Sequence, residues 1–297
     1  MSFRNLQLAA IWQAMTTTNS TWTTLFTATW EIERQFDPLP WQHWMGRYGK
    51  TMWVACTFLY LVFIFGGERL MQTREKYQLR QPLLIWNASL AVFSMVSAWR
   101  LSIATYELVS RQNAWHSLVC GPDFYARGGH SAFWLFVFAL SKVAEYGDTI
   151  FIVLRKAKLI FLHYFHHMLT FLVGFHTFAF SNPTLFISAL MNVYVHSLMY
   201  SYYLLRILGV RVPKRLAMVL TTIQIIQLII GTYVQFYAAW IFFKGGAPCN
   251  LDMFAVVVGS FGYGSVCLLF IDFFYKTYFS QTHQAPSGVE RKTRKDK

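Results

Sequence analysis

The chain has 297 residues, 55% of them hydrophobic, 19% aromatic and only 13% charged, with a formal net charge of +13. Soluble domains carry about 25% charged residues, and several apolar runs here reach the ~20 residues that cross a bilayer. These features exclude an ordinary soluble domain and predict one polytopic, all-α integral membrane domain. The basic excess lies mainly between the apolar runs, so it reads as an orientation signal and not as a nucleic-acid surface.

Residues 1–47 are rich in Thr, Trp and acids and are expected to form an extramembrane arm, with an amphipathic stretch setting Trp30, Phe36, Trp41 and Trp44 at the interface. The first 20 residues lack the apolar core and cleavage site of a signal peptide, so the first span is expected to act as the targeting element. Seven spans follow, at 48–67, 83–104, 132–154, 159–180, 183–208, 216–243 and 253–279, making 48–279 the membrane domain and 280–297 a basic tail. Pro82, Pro183 and Pro213 suit turns or first helical turns.

With seven spans, most of the 26 Lys and Arg fall on one side: the 69–81 loop, the 155–158 and 206–215 links and the tail. By the positive-inside rule that side is cytosolic, and the N-terminus and the 105–131, 181–182 and 244–252 connections are lumenal. Cys120 and Cys249 both fall in lumenal loops, where a disulfide can form, and are expected to pair; Cys56 and Cys267 fall within spans. The sequon at Asn19 lands on the same lumenal side. The ending Arg294-Lys295-Asp296-Lys297 resembles a dilysine retrieval signal, and a solvated basic tail near anionic lipid is the alternative.

Ionisable groups at membrane depth are costly and mark function. Span 4 carries His163, His166 and His167, whose offsets place the imidazoles on one helical face. Lys142, Glu145, Asp148 and Thr149 share a face of span 3; Asn192, His196, Met199 and Tyr203 share one of span 5, with Tyr200 and Tyr202 beside them; Thr221, Gln224 and Gln227 step along span 6. At 1.5 Å per residue the three histidines begin about 6–12 Å from the cytosolic end. The expectation is a polar pocket open to the cytosol with an apolar compartment beyond it, suited to an amphiphile. In that picture Arg100 snorkels from an otherwise apolar lumenal half, and Phe175, Phe178, Tyr233 and Phe236 are candidates to close the far end.

An imidazole can ligate metal, act as base or act as nucleophile. An H-x-x-H-H box also occurs in membrane di-iron desaturases, which use three boxes; here there is one box plus His196, too few ligands for two irons. A seven-span receptor or transporter is the other alternative, disfavoured by the lack of a polar pocket facing outward.

Four motifs decide between them. Lys142-x-x-Glu145-x-x-Asp148-Thr149, His163-x-x-His166-His167, Asn192-x-x-x-His196-x-x-Met199-Tyr200-x-Tyr202-Tyr203 and Thr221-x-x-Gln224-x-x-Gln227 resemble, in order, the signature motifs of the fatty acid elongases of the endoplasmic reticulum, the 3-oxoacyl-CoA synthases of very-long-chain fatty acid synthesis. Residues 63–67, 82–86 and 91–94 are similar to the branch acting on saturated and monounsaturated acyl chains, whereas Tyr146, Tyr164 and Phe165 depart from it. The resemblance implies that six of seven helices enclose a narrow acyl tunnel. It implies that His166 attacks the thioester of a long-chain acyl-CoA, and that malonyl-CoA then loses CO2 and its enolate takes up the acyl group. His196 with His163 or His167 would handle protons and oxyanion charge. Asn192, Gln224, Gln227, Tyr200 and Tyr203 would bind substrate, and Lys142 would contact the malonyl carboxylate or orient Glu145 and Asp148. No metal or redox cofactor is implied. The partners implied are membrane lipid and the reductases and dehydratase that complete a cycle; a homo-oligomer is left open. A direct reaction with His as base and no acyl-enzyme is the competing mechanism.

Overall fold

A computed structural model describes residues 30–109, 114–121, 129–245 and 249–280; Asn19 and the tail with Lys295 lie outside the described residues. The regular elements described are all helices: α1 Glu31–Arg34, α2 Leu39–Gln72, α3 Arg80–Val109, α4 Ala114–Cys120, α5 His130–Ala144, α6 Tyr146–Leu154, α7 Phe161–Ala179, α8 Thr184–Leu208, α9 Lys214–Lys244 and α10 Met253–Tyr278. By length and composition α2, α3, α9 and α10 can cross a membrane, so the chain is a multi-pass membrane protein. Their outward faces are apolar, as with Val54, Phe58 and Val62 on α2 and Ile226, Ile229 and Ile230 on α9. Helices α7 and α8 carry histidines, Asn192 and Thr184, with His167, His176, His196 and Thr184 buried among the other helices. Polar groups at that depth are tolerated because they face protein and not lipid.

Helix α2 lies along α7, where Trp53 Nε1 donates to the Met168 carbonyl at 2.8 Å; α3 lies along α8, α9 along α10, and α5 meets α3, α7 and α8. The core between them is aromatic, with Leu135, Phe171, Phe178 and Phe186 fully buried. Two close approaches need glycine. A Cβ on Gly147 would stand 2.6 Å from the Trp86 ring, and one on Gly231 would stand 2.0 Å from the Tyr263 ring. Small residues permit such contact between helices in membranes.

Four sequence expectations change. Span 3 is not one helix: it divides at Glu145 into α5 and α6, with Asp148 N bonding back to the Glu145 carbonyl at 3.1 Å. The first long helix begins at Leu39, inside the expected arm, because Pro38 and Pro40 set the starting turn that hydropathy alone placed later. Of the arm aromatics, Phe36 is half-buried against α5, 5.4 Å from the Phe136 ring, while Trp30, Trp41 and Trp44 stay exposed, Trp41 lying 4.8 Å from that ring. Finally, Arg100 does not snorkel. It is fully buried, and its Nε donates to Glu33 Oε1 at 2.9 Å, while Trp134 Nε1 donates to the same oxygen at 2.6 Å. A buried guanidinium needs such a carboxylate, because desolvation without a partner is prohibitive.

The two ends of the bundle differ. One carries Arg155, Lys156, Lys158, Arg206 and Arg211 and is called the basic end here. At the other, a Cys120–Cys249 disulfide ties α4 to the segment before α10, with Cα atoms 4.4 Å apart across a sequence separation of 129. This disulfide end is not purely apolar. His176 Nε2 meets Asp252 Oδ2 at 2.8 Å, and Gln235 Nε2 donates to Thr184 Oγ1 at 3.1 Å. The polar partners come from different helices, so hydropathy along the chain could not pair them.

Candidate active site

A cavity of about 710 Å³ enters from the basic end, with exposed Arg155 and Arg206 on its lining, and runs inward to His163, His166, His167, Asn192, His196, Gln224 and Gln227. Beyond it lies a slot of about 80 Å³, lined by Phe138, Val173, Thr177, Leu185, Gly262 and Tyr263 among others, that reaches towards the disulfide end. His166, Asn192, Gln227 and Leu228 line both spaces and mark the waist between them.

The histidines come from the first turns of α7, His163 lying one helical turn before the adjacent His166 and His167. The His163 and His167 ring centroids are 4.4 Å apart and those of His166 and His167 5.4 Å. Their hydrogen bonding differs. His163 Nε2 is 2.9 Å from Thr149 Oγ1, His167 Nδ1 is buried without a partner, and His166 has no hydrogen-bond partner among the described residues. Of these two imidazoles without a hydrogen bond, His166 is the one at the waist, lining both spaces.

Across the cavity, α5 and α8 build a polar line. Lys142 Nζ donates to Glu145 Oε1 at 2.6 Å and to Asn192 Oδ1 at 2.8 Å. With its oxygen held by the ammonium, Asn192 turns its amide nitrogen to His196 Nε2 at 3.2 Å. His196 Nδ1 lies 3.7 Å from Glu145 Oε1, so one carboxylate faces both the ammonium and the imidazole. Glu145 lines neither cavity and acts from behind Lys142. Lys142 itself lines the slot, with its ammonium 4.3 Å from the centre of the Phe138 ring.

Asp148 is braced on both sides: Trp86 Nε1 donates to Oδ1 at 2.6 Å and the Tyr200 hydroxyl to Oδ2 at 2.8 Å. It fastens α6 to α3 and α8 beneath the cavity wall. Gln224 Nε2 faces Met199 Sδ at 3.4 Å, and Gln227 stands one turn further in. Tyr200 is buried, whereas Tyr203 is exposed on the outer part of the lining.

The structure thus gathers His163, His166, His167, Asp148, Asn192, His196, Tyr200, Tyr203, Gln224 and Gln227 around one cavity, with Lys142 at the adjoining slot. Among the described residues no group of three or more His, Cys, Asp or Glu has the geometry to hold a metal ion. Sequence reasoning missed several lining residues. Asn87 is buried on α3 and lines the cavity; as a polar residue inside an expected span it carried the same signal as Asn192. Arg155 and Arg206 were read only as orientation charges. The expected far-end residues are corrected too: Tyr233 and Phe236 are each 58% exposed on the outer face, and Phe175 and Phe178 pack in the core without lining either space.

Comparison with known proteins agrees with this arrangement. Residues 47–286 match the family model described as ELO: GNS1/SUR4 family. The chain is 38% identical over 258 residues to very long chain fatty acid elongase 6 of Gallus gallus, covering 86% of this chain and 95% of that protein. It is 37% identical over 255 residues to the Homo sapiens protein of the same name, covering 85% and 93%. Long chain fatty acid elongase 2 of Caenorhabditis elegans is 33% identical over 223 residues, covering 75% of this chain and 81% of that one.

Proposed function

The chain belongs to the ELO, GNS1/SUR4 family of fatty acid elongases, and from that premise we propose how its two-part cavity carries out the condensing step. The protein is a 3-oxoacyl-CoA synthase, an acyltransferase of very-long-chain fatty acid elongation that joins an acyl group from acyl-CoA to the two carbons retained from malonyl-CoA.

One observation supports the step order: His166, unbonded, lines both the wide cavity and the narrow slot. The CoA part of a long-chain acyl-CoA occupies the wide cavity, its phosphates near Arg155 and Arg206, and the acyl tail enters the slot. The thioester then sits at the waist. The His166 nitrogen bonds to the acyl carbon, the C–S bond breaks, and CoA leaves as the thiol after taking up a proton. Malonyl-CoA enters the vacated cavity. Its C–CO2 bond breaks, the electron pair forms an enolate, and the enolate carbon attacks the acyl-imidazole; the C–N bond breaks to release a 3-oxoacyl-CoA two carbons longer. His196, backed by Glu145, and His167 move protons. Gln224, Gln227 and the second N–H of Asn192 donate to developing oxyanions.

Tail length is set at the slot. Its far wall is the Gln235–Thr184 hydrogen bond, facing Gly259. From Gln227 to Gln235 the slot runs about 12 Å at the helical rise. The substrates proposed are saturated and monounsaturated acyl-CoAs.

The charge distribution and the disulfide support seven spans in the endoplasmic reticulum membrane, with the basic end cytosolic and the disulfide end lumenal. α5 with α6 forms one span, α7 and α8 are two more, and six of the seven enclose the tunnel. The elongation cycle then needs a 3-oxoacyl-CoA reductase, a dehydratase and an enoyl-CoA reductase to consume the product.

Purified protein given malonyl-CoA and acyl-CoAs of graded length should yield 3-oxoacyl-CoA and CO2. With acyl-CoA alone it should release CoA and gain the acyl mass on His166. Turnover with malonyl-CoA but no CoA release or adduct in its absence would replace the two-step route with direct condensation.

A further inference from the structure

A line of hydroxyls leads from the first long helix to the histidine box. The Tyr60 hydroxyl on α2 lies 2.6 Å from Thr149 Oγ1 on α6, and Thr149 Oγ1 lies 2.9 Å from His163 Nε2 on α7. Tyr60 is buried, and its ring stacks on Tyr146 with centroids 4.0 Å apart. Thr149 is fully buried.

Satisfaction of the donors fixes the direction of this line. Among the described residues Thr149 is the hydrogen-bond partner of the Tyr60 hydroxyl. A buried phenol O–H without an acceptor is costly, so Tyr60 donates to Thr149. Thr149 has one hydrogen to give, and its remaining partner is His163 Nε2. Nε2 is then an acceptor, and the neutral ring carries its proton on Nδ1. The tautomer is assigned from the network. If Nε2 carried a proton, Thr149 would accept from both it and Tyr60, leaving its own buried hydroxyl hydrogen without either partner as acceptor.

We infer that Tyr60 and Thr149 are positioning residues that hold His163 with its proton on Nδ1, so that His163 serves the cavity as a hydrogen-bond donor and not as a general base. Its only free lone pair is taken by Thr149. The role rests on the elongase mechanism above and divides the labour among the histidines: His163 donates to thioester or enolate oxygen, and proton removal falls to His167, because the Asn192 amide occupies His196 Nε2 as Thr149 occupies His163 Nε2.

Two measurements test this. In histidine-15N protein, the signals lost in His163→Gln identify His163; they should report Nδ1 protonated and Nε2 bare. In Tyr60→Phe, which keeps the ring on Tyr146, the Nε2–H form should appear. A wild-type His163 with the proton on Nε2 overturns the inference, whatever the activity. For the half-reaction, CoA release from acyl-CoA, Thr149→Val should lower kcat about tenfold, the scale of one hydrogen bond, with KM little changed. Thr149→Ser, which keeps the hydroxyl, should restore the rate. Equal rates for Val and Ser also overturn it. A wild-type protein that releases no CoA defeats the acyl-histidine route instead, and the tautomer measurement then decides the relay alone.

Discussion

The Lys142 ammonium lies 2.8 Å from the Asn192 amide oxygen, and this contact decides which way the amide faces His196. It joins α5 to α8 through two side chains separated by 50 residues. Lys142 is almost fully buried and also paired with Glu145 at 2.6 Å, so its charge is neutralised within the bundle. Lys142→Met would leave Glu145 buried and unpaired, at a cost of about 3–5 kcal/mol. The expected outcome is a lower thermal midpoint in detergent and a loss of condensing activity of at least about a hundredfold. Lys142→Met with Glu145→Gln should recover much of the stability but little activity, because the amide of Asn192 is then free to turn.

His166 is the imidazole without a partner at the waist. His166→Gln should abolish CoA release from acyl-CoA while the thermal midpoint stays within about 1 °C of the wild type, since no hydrogen bond is lost. His196→Gln removes the contact with Asn192 and should slow the reaction less completely. Single-turnover assays with labelled acyl-CoA separate the two.

The slot wall can be moved inward or outward. A Cβ on Gly259 would stand 2.7 Å from Gln235 Oε1, so Gly259→Ala should push the amide into the slot and shift products to shorter chains. Gln235→Ala removes the wall and should shift them to longer ones, while the Thr184 hydroxyl keeps its hydrogen bond to Asn182 Oδ1 at 2.9 Å. Chromatography of products from a mixed acyl-CoA pool reads both. Identical chain-length profiles for the two variants would move the length determinant elsewhere.

The ion pair of Glu33 with Arg100 predicts a stability effect remote from the chemistry. Glu33→Ala leaves a fully buried guanidinium and removes the acceptor of Trp134 Nε1, so it should destabilise by about 3–5 kcal/mol. Its activity at low temperature should stay near wild type, because neither residue lines the cavity. Differential scanning of purified protein at several temperatures distinguishes this from a catalytic effect.

Much of this was legible in the chain. Apolar runs of membrane length gave the multi-pass helical class, and two cysteines in loops placed on the same side gave the pairing of Cys120 with Cys249. Spacings of three and four residues put His163, His166 and His167 on one face, and they do share one cavity. What failed were inferences about which side chain meets which. Arg100 looked like a snorkelling cation because Glu33 lies 67 residues away in sequence. The braces on Asp148 were likewise hidden, because Trp86 and Tyr200, which donate to its oxygens, sit on other helices.

The sequence by itself determined the membrane class and the facing of the polar motifs, because helical periodicity and the cost of burying charge act locally along each span; the reaction followed from the resemblance of those motifs to the elongases. Only the tertiary structure decided which imidazoles are tied, His163 by Thr149 and His196 by Asn192, and which of the untied pair stands at the waist, His166. It also decided where the slot beyond the waist ends, at Gln235 and Thr184. These are contacts between helices, and a buried hydrogen bond is specified by two partners whose approach depends on packing, on glycines such as Gly147 and Gly231, and on no single stretch of chain.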